Sequence, residues 1–337
     1  MSVRAATRRL IEAGHAYDAF YRGHLANHLP MALVALEGLG ASDSELSRYA
    51  RRYAGQLEPL RPPQSAIARG EEGHGLGQAD AFPAWLARFE NEIDARGSAR
   101  VLNDWVDRLF PGVSGGAFHG AIRVAYAVEA GSAAELAHAL AYWAAAWQPL
   151  GDAPVFAGSL APAEVLARIA ADPAFAGRRP AGSNIAERTA AAADDAALRA
   201  HVATTDPGQV HLDALSQAAL RAFAGSGDFT ALHMVTGVHA ARALLAYSAN
   251  ADRAAAHLWQ ALAAAFAGAG SPRLGGWADD AGGDEDWNVL RERAARCEDE
   301  HDVKLAYTCW REWQRTGDDL YRRAASARLR HAIEETT

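Results

Sequence analysis

Cysteine is scarce: Cys297 and Cys309 are the only two in 337 residues. That excludes a disulfide framework and points to a reducing compartment, with the cytoplasm as the expected location. Strand-like alternation of β-branched residues is nearly absent, which excludes a β-sandwich or barrel. No apolar run is long enough to span a bilayer; the stretch 137–147 carries His138. The first ten residues are basic but lead into no apolar segment, so no secretory signal is expected. Positive charge is in deficit, with 33 Lys and Arg against 41 Asp and Glu and a net charge of -8. No basic stripe offsets it, so nucleic acid is not an expected partner. Also missing are a Gly-x-Gly-x-x-Gly turn after a strand, a Gly-x-Ser-x-Gly elbow, a P-loop and a Cys-x-x-Cys pair. These gaps leave no visible flavin or nicotinamide Rossmann unit and no visible hydrolase or NTPase signature.

What is present is alanine, the best helix former, in a chain that is 50% hydrophobic and 22% charged. Such a composition builds a large core. We expect an all-α fold, a single large multi-helix domain over residues 1–337 in which histidine-bearing helices converge. Helices are expected over 3–14, 17–29, 31–39, 45–57, 83–94, 99–110, 117–130, 133–147, 162–171, 185–203, 213–225, 229–248, 251–267, 285–316 and 318–333. Pro30 kinks a helix or opens a new one at its first turn. Gly40 is placed to end that helix, and Ser42 or Asp43 to cap the next. Residues 58–82 and 268–284 read as long loops. Gly73-His-Gly-Leu-Gly77 falls in the first; neither flank suits a phosphate cradle, so it is read as solvated loop.

The chemistry lies in the histidines. Four separated segments set them among apolar or small residues: Asn27-His-Leu-Pro-Met-Ala-Leu33, Phe118-His-Gly-Ala-Ile-Arg123, His233-Met-Val-Thr-Gly-Val-His239-Ala-Ala-Arg242 and Asp299-Glu-His-Asp-Val-Lys304. A buried imidazole needs a partner, and one shared metal ion would serve several at once. Iron, zinc, copper and nickel all accept imidazole nitrogen. His233 and His239 are six apart and point about 120° from each other on a straight helix, so one is read as a ligand and the other as a supporting or substrate-facing group. His24 and His28 are four apart and would share a helical face, but no His-Glu-x-x-His accompanies them. His301 and Lys304 also share a face. Three readings of Lys304 stand open: an ion pair with Asp302 or Glu298, a depressed-pKa base or nucleophile, or a carbamate formed with carbon dioxide that would ligate a metal through oxygen. Arg123 and Arg242 each follow a motif histidine and are candidate catalytic residues that bind an acidic or phenolate substrate; the plainer reading pairs them with nearby acids. His15, His74, His138, His201, His211, His257 and His331 are read as loop or surface residues. Trp143, Trp147, Trp259, Trp310 and Trp313 are read as core, with an aromatic pocket as the alternative.

These four motifs, in this order, resemble those of the questin oxidase-like family, and the resemblance runs from about Tyr17 to Arg311. The family includes fungal oxidases that open or rearrange anthraquinone-type polyketides. The resemblance implies an all-helical fold and oxygen-dependent chemistry on an aromatic or quinone ketone, either ring-opening or of Baeyer–Villiger type. It implies non-haem iron, Fe(II), held by His28, His119, His239, His301 and a carboxylated Lys304, with His233 as the alternative to His239. Other members use NADPH, which implies a second possibility: a Baeyer–Villiger oxidase without metal, in which the histidines act as bases and hydrogen-bond donors. Met31, Ala32 and Arg123 stand where fungal members tend to carry further histidines. A non-catalytic helical protein binding an apolar ligand is the third reading. The expected partners are a small aromatic substrate and O2, with no nucleic acid and no membrane.

Overall fold

The computed structural model describes residues 3–23, 25–275 and 285–334, the last four as backbone alone. Sixteen α-helices and one two-stranded sheet are found there, so the fold is all-α as expected. His24, the 276–284 part of the second long loop and the side chain of His331 lie outside the described residues.

Caps set many of the boundaries. Pro30 opens the helix Leu29–Leu39 in its first turn, and Gly40 ends it with φ 101°. A left-handed residue there satisfies the last carbonyls, and glycine adopts it without a Cβ clash. Ser42 then caps Asp43–Ala54 through a reciprocal pair of bonds with Glu45. Asp228 accepts from Thr230 N and Ala231 N at the start of Phe229–Leu244, and Asp299 accepts from His301 N at the start of Glu300–Thr316. Both caps fix the entry of a histidine-bearing helix.

Three expected helices are corrected, each where polar side chains compete for the backbone. Residues 17–29 form a small antiparallel hairpin, Phe20–Tyr21 against Leu25–Ala26. Asp18 accepts from Phe20 N at 3.0 Å and Asn27 accepts from Leu29 N at 3.0 Å, while Arg22 and Gly23 turn the chain at φ 47° and 85°. The stretch 185–203 divides into Ile185–Ala193 and Ala196–Ala203, because Asp195 caps a new start. The stretch 285–316 divides likewise into Trp287–Ala294 and Glu300–Thr316 at Asp299.

The helices Leu29–Leu39, His119–Ala130, Ala133–Ala145, Phe229–Leu244 and Ala251–Gly268 are buried on most of their circumference, which is why their sequences are apolar almost all round. Small residues permit close approach. A Cβ on Gly120 would lie 2.5 Å from Trp143 Cδ1, and one on Gly237 would lie 3.0 Å from Phe118. Leu29–Leu39 packs on both His119–Ala130 and Glu300–Thr316, and Phe229–Leu244 packs on the same two helices. The seam between them holds the site.

Candidate metal centre

Four imidazoles meet in this seam, one from each motif. His28 is the N-cap residue of Leu29–Leu39, His119 opens its helix, His233 lies in the second turn of Phe229–Leu244, and His301 lies in the first turn of Glu300–Thr316. His28 Nε2 is 2.8 Å from His119 Nε2, and His119 Nε2 is 3.1 Å from His233 Nε2. His301 completes the ring, its centroid 4.9 Å from that of His28 and 5.1 Å from that of His233. His28, His119 and His301 each present a ligand atom within 4.8 Å of the others.

The outer nitrogens determine what the inner ones are. His119 Nδ1 donates to Gly116 O, and His233 Nδ1 donates to Phe229 O at 2.7 Å. A carbonyl only accepts, so each Nδ1 carries the proton and each Nε2 is a bare lone pair in the neutral ring. His301 Nδ1 donates to Asp299 Oδ1 at 3.1 Å, and His28 Nδ1 faces Tyr53 Oη at 3.2 Å and Glu300 Oε1 at 3.4 Å. A proton on His28 Nε2 would satisfy the contact with His119. The contact between His119 and His233 would still set lone pair against lone pair. A cation satisfies both, and outer nitrogens anchored on carbonyls and carboxylates are the usual support of metal-bound histidine.

Electrostatics agree with that donor set. Burial, then the Lys304 charge, holds His28 and His119 well below the ordinary imidazole value; for His233 the causes are burial and His301. His301 is lowered by burial and Lys304. The rings are therefore neutral at pH 7, the form that binds metal. Lys304 stands one turn after His301 and is 1% exposed. Burial lowers its ammonium to about 8 against the opposing pull of Glu300 and Asp299. The expected ion-pair partners lie elsewhere: Asp302 holds Arg328, and Glu298 is beside Arg52.

The chain approaches His119 through three successive left-handed residues, Gly116, Ala117 and Phe118, at φ 57°, 57° and 66°. For the two non-glycine residues such a conformation costs on the order of 1–3 kcal/mol each, and it persists only where the surroundings enforce it. Here it brings Gly116 O onto the His119 ring. A cavity of about 770 Å³ opens from the four histidines, walled by Phe20, Tyr21, Tyr142, Trp147 and Phe229.

The chain belongs to the questin oxidase-like family. The family profile matches residues 25–309, a span that contains all four histidine motifs. No curated protein matches the chain. As a questin oxidase-like protein, named for an oxidase, the chain is an oxidoreductase. No helix among the described residues is long and apolar enough to cross a membrane.

Several expected site residues are not brought to the cluster. His239 Nδ1 is 2.7 Å from Glu312 Oε1, and the residue lines a separate 300 Å³ pocket with Tyr126, Arg242 and Arg311. His233, held as the alternative, occupies the cluster instead. Arg242 is bound to Glu312 and Asp213. Arg123 is buried and grips Glu135 at 2.7 and 3.2 Å. Neither arginine lines the large cavity, so the plainer reading describes them. His138 and His257, expected as loop or surface residues, are buried in helices at 5% and 4% exposure; His138 stacks on His15 at 4.2 Å. Trp143 and Trp259 are core, while Trp147 faces the cavity. Tyr53 and Glu300 went unnoticed in the sequence. Glu300 adjoins His301 in the motif 299–304 and so could have been singled out; Tyr53 carries no local signal.

Proposed function

We propose that this questin oxidase-like protein is a metal-dependent oxygenase acting on an aromatic or quinone ketone, with iron held by His28, His119, His233, His301 and Lys304. The observation that carries this reading is the run of inner nitrogens at 2.8 and 3.1 Å whose outer nitrogens are already committed as donors. Four imidazoles suit a borderline transition metal, and an anionic oxygen from Lys304 would complete a set suited to iron. When bound, the metal supplies oxygen activation and stabilisation of negative charge on the substrate.

The protein's own groups do the rest. Gly116 O, Phe229 O, Asp299 and Glu300 orient the rings, so the nitrogens converge without rearrangement. Lys304, lowered to about 8 by burial, surrenders its proton more readily than an exposed lysine. The free amine can add carbon dioxide: an N–C bond forms, one C–O π bond opens and a proton leaves to solvent. The product carboxylate would face the four rings. The aromatic walls accept a flat multi-ring ligand by stacking and exclude water around it, and about 770 Å³ lies within the usual range for small-molecule sites.

Elemental mass spectrometry on untagged protein from iron-supplied cells tests this reading. Close to one metal ion per chain is expected. His119→Ala should lower occupancy at least about ten-fold, the scale on which even supporting residues act, while His239→Gln should leave it unchanged. Well-folded wild-type protein that emerges metal-free, and takes up none on addition of Fe(II), would sink the proposal.

A further inference from the structure

The aromatic walls of the large cavity hold flat ligands without telling them apart, because stacking tolerates almost any ring. Discrimination falls to the few polar groups on the wall. At the histidine end the acid is Glu300, already facing His28 at 3.4 Å and His301 at 3.7 Å. Among the described residues, Arg188 is the only lysine or arginine on the cavity wall. Among the described residues its guanidinium makes one hydrogen bond, a long one from Nη1 to Gly182 O at 3.5 Å, and no carboxylate pairs with it. The adjacent Glu187 accepts from Ser183 N, Ser183 Oγ and Asn184 Nδ2 at 2.7, 2.9 and 2.8 Å. Arg123 and Arg242, by contrast, are each paired with buried acid, Arg123 with Glu135 and Arg242 with Glu312 and the more exposed Asp213.

A guanidinium without a carboxylate partner among the described residues, on the wall of an aromatic-lined cavity, matches one ligand group best. A carboxylate takes two parallel N–H bonds from it, and the aromatic residues that line the same cavity hold the attached ring system. We infer that the cavity selects aromatic carboxylates, with Arg188 binding the carboxylate. This rests on the reading of the cavity as the substrate site, and it gives Arg188 the part that the sequence suggested for Arg123 and Arg242. Arg188 is partly exposed, so solvent weakens the pair and a preference of about ten-fold is expected.

Isothermal titration calorimetry with anthraquinone-2-carboxylate and anthraquinone-2-carboxamide tests the inference. Each is titrated into the full-length protein, as purified and after chelation, at low salt. Wild-type protein should bind the carboxylate about ten-fold tighter than the carboxamide in both states. Arg188→Gln should remove that preference and leave carboxamide binding unchanged, which also reports an intact cavity. Arg188→Lys should keep part of the preference. A preference that survives Arg188→Gln overturns the inference, and if chelation then abolishes it, the metal is the anchor. Equal binding of the two probes by wild-type protein overturns the inference while leaving the substrate site standing. Failure of both probes to bind wild-type protein overturns that site and the inference with it.

Discussion

His119 is the hinge of the site, its Nε2 within 3.1 Å of the inner nitrogens of both His28 and His233. Its position at the first residue of a helix and its bond to Gly116 O leave it a single orientation. A few residues further along the same helix, Arg123 shows how a charged residue is diverted from function by burial. Its partner Glu135 is 1% exposed. Burial pushes the carboxyl up, but Arg123 and His15 outweigh it and hold Glu135 at about 2. A folded value below the unfolded one, near 4.3, means stability that is present above that pH and is lost as pH falls toward about 2. The amount is about 3 kcal/mol for a shift of roughly two units. Thermal unfolding of wild type should show this loss between about pH 4.5 and 2. Glu135→Gln should lack it, and should start about 3–5 kcal/mol less stable at pH 7 because Arg123 is left buried without its counter-charge. Parallel pH profiles for the two proteins would refute the assignment.

At the scale of elements, caps at the ends of apolar helical runs were legible, whereas Asp195 and Asp299, which cap new starts inside long helix-forming stretches, were not. Ser42, Gly40 and Pro30 act within one turn, so the sequence located them. The hairpin at 20–26 owes its form to Asp18 and Asn27 bonding the backbone two residues on, which the helix expected over 17–29 left out of account. Ala117 and Phe118, expected to open the helix 117–130, are instead left-handed together with Gly116, and this run aims His119. Helix-to-helix approach also lives at this scale. Gly120→Ala would press a methyl group against Trp143, whose ring is fully buried and whose Nε1 donates to Gly112 O at 3.4 Å. Overpacking of this kind costs about 1–3 kcal/mol. We expect a lower urea midpoint for Gly120→Ala with an unchanged slope, together with reduced metal content because His119 is the adjacent residue. An unchanged midpoint would mean that the two helices yield more easily than their packing implies.

At the scale of the molecule, the four histidines come from segments spread between residues 28 and 301, so a metal bound to all of them ties the folded chain together. A ligand that binds only the native state stabilises it by about 2.7 kcal/mol when present at 100 times its dissociation constant. Scanning calorimetry should therefore show a higher Tm with Fe(II), under anaerobic conditions, than with chelator. The difference should vanish in His119→Ala and persist in His239→Gln. A Tm indifferent to metal in the wild type would contradict a shared centre.

Sequence alone determined the all-α class, because alanine content, caps and the absence of strand patterning act locally and agree with one another. It also marked the four histidine motifs, since imidazoles set in apolar segments demand partners. Only the tertiary structure decided which of them meet. On a straight helix His233 and His239 face different neighbours, and the neighbours are what differ: His119 for the first, Glu312 for the second. The same holds for the arginines. Arg123 and Arg242 lie beside motif histidines in sequence but face buried acids, whereas Arg188, distant from every motif, reaches the cavity. Spacing along a helix fixes the direction of a side chain, but only packing fixes what that direction meets.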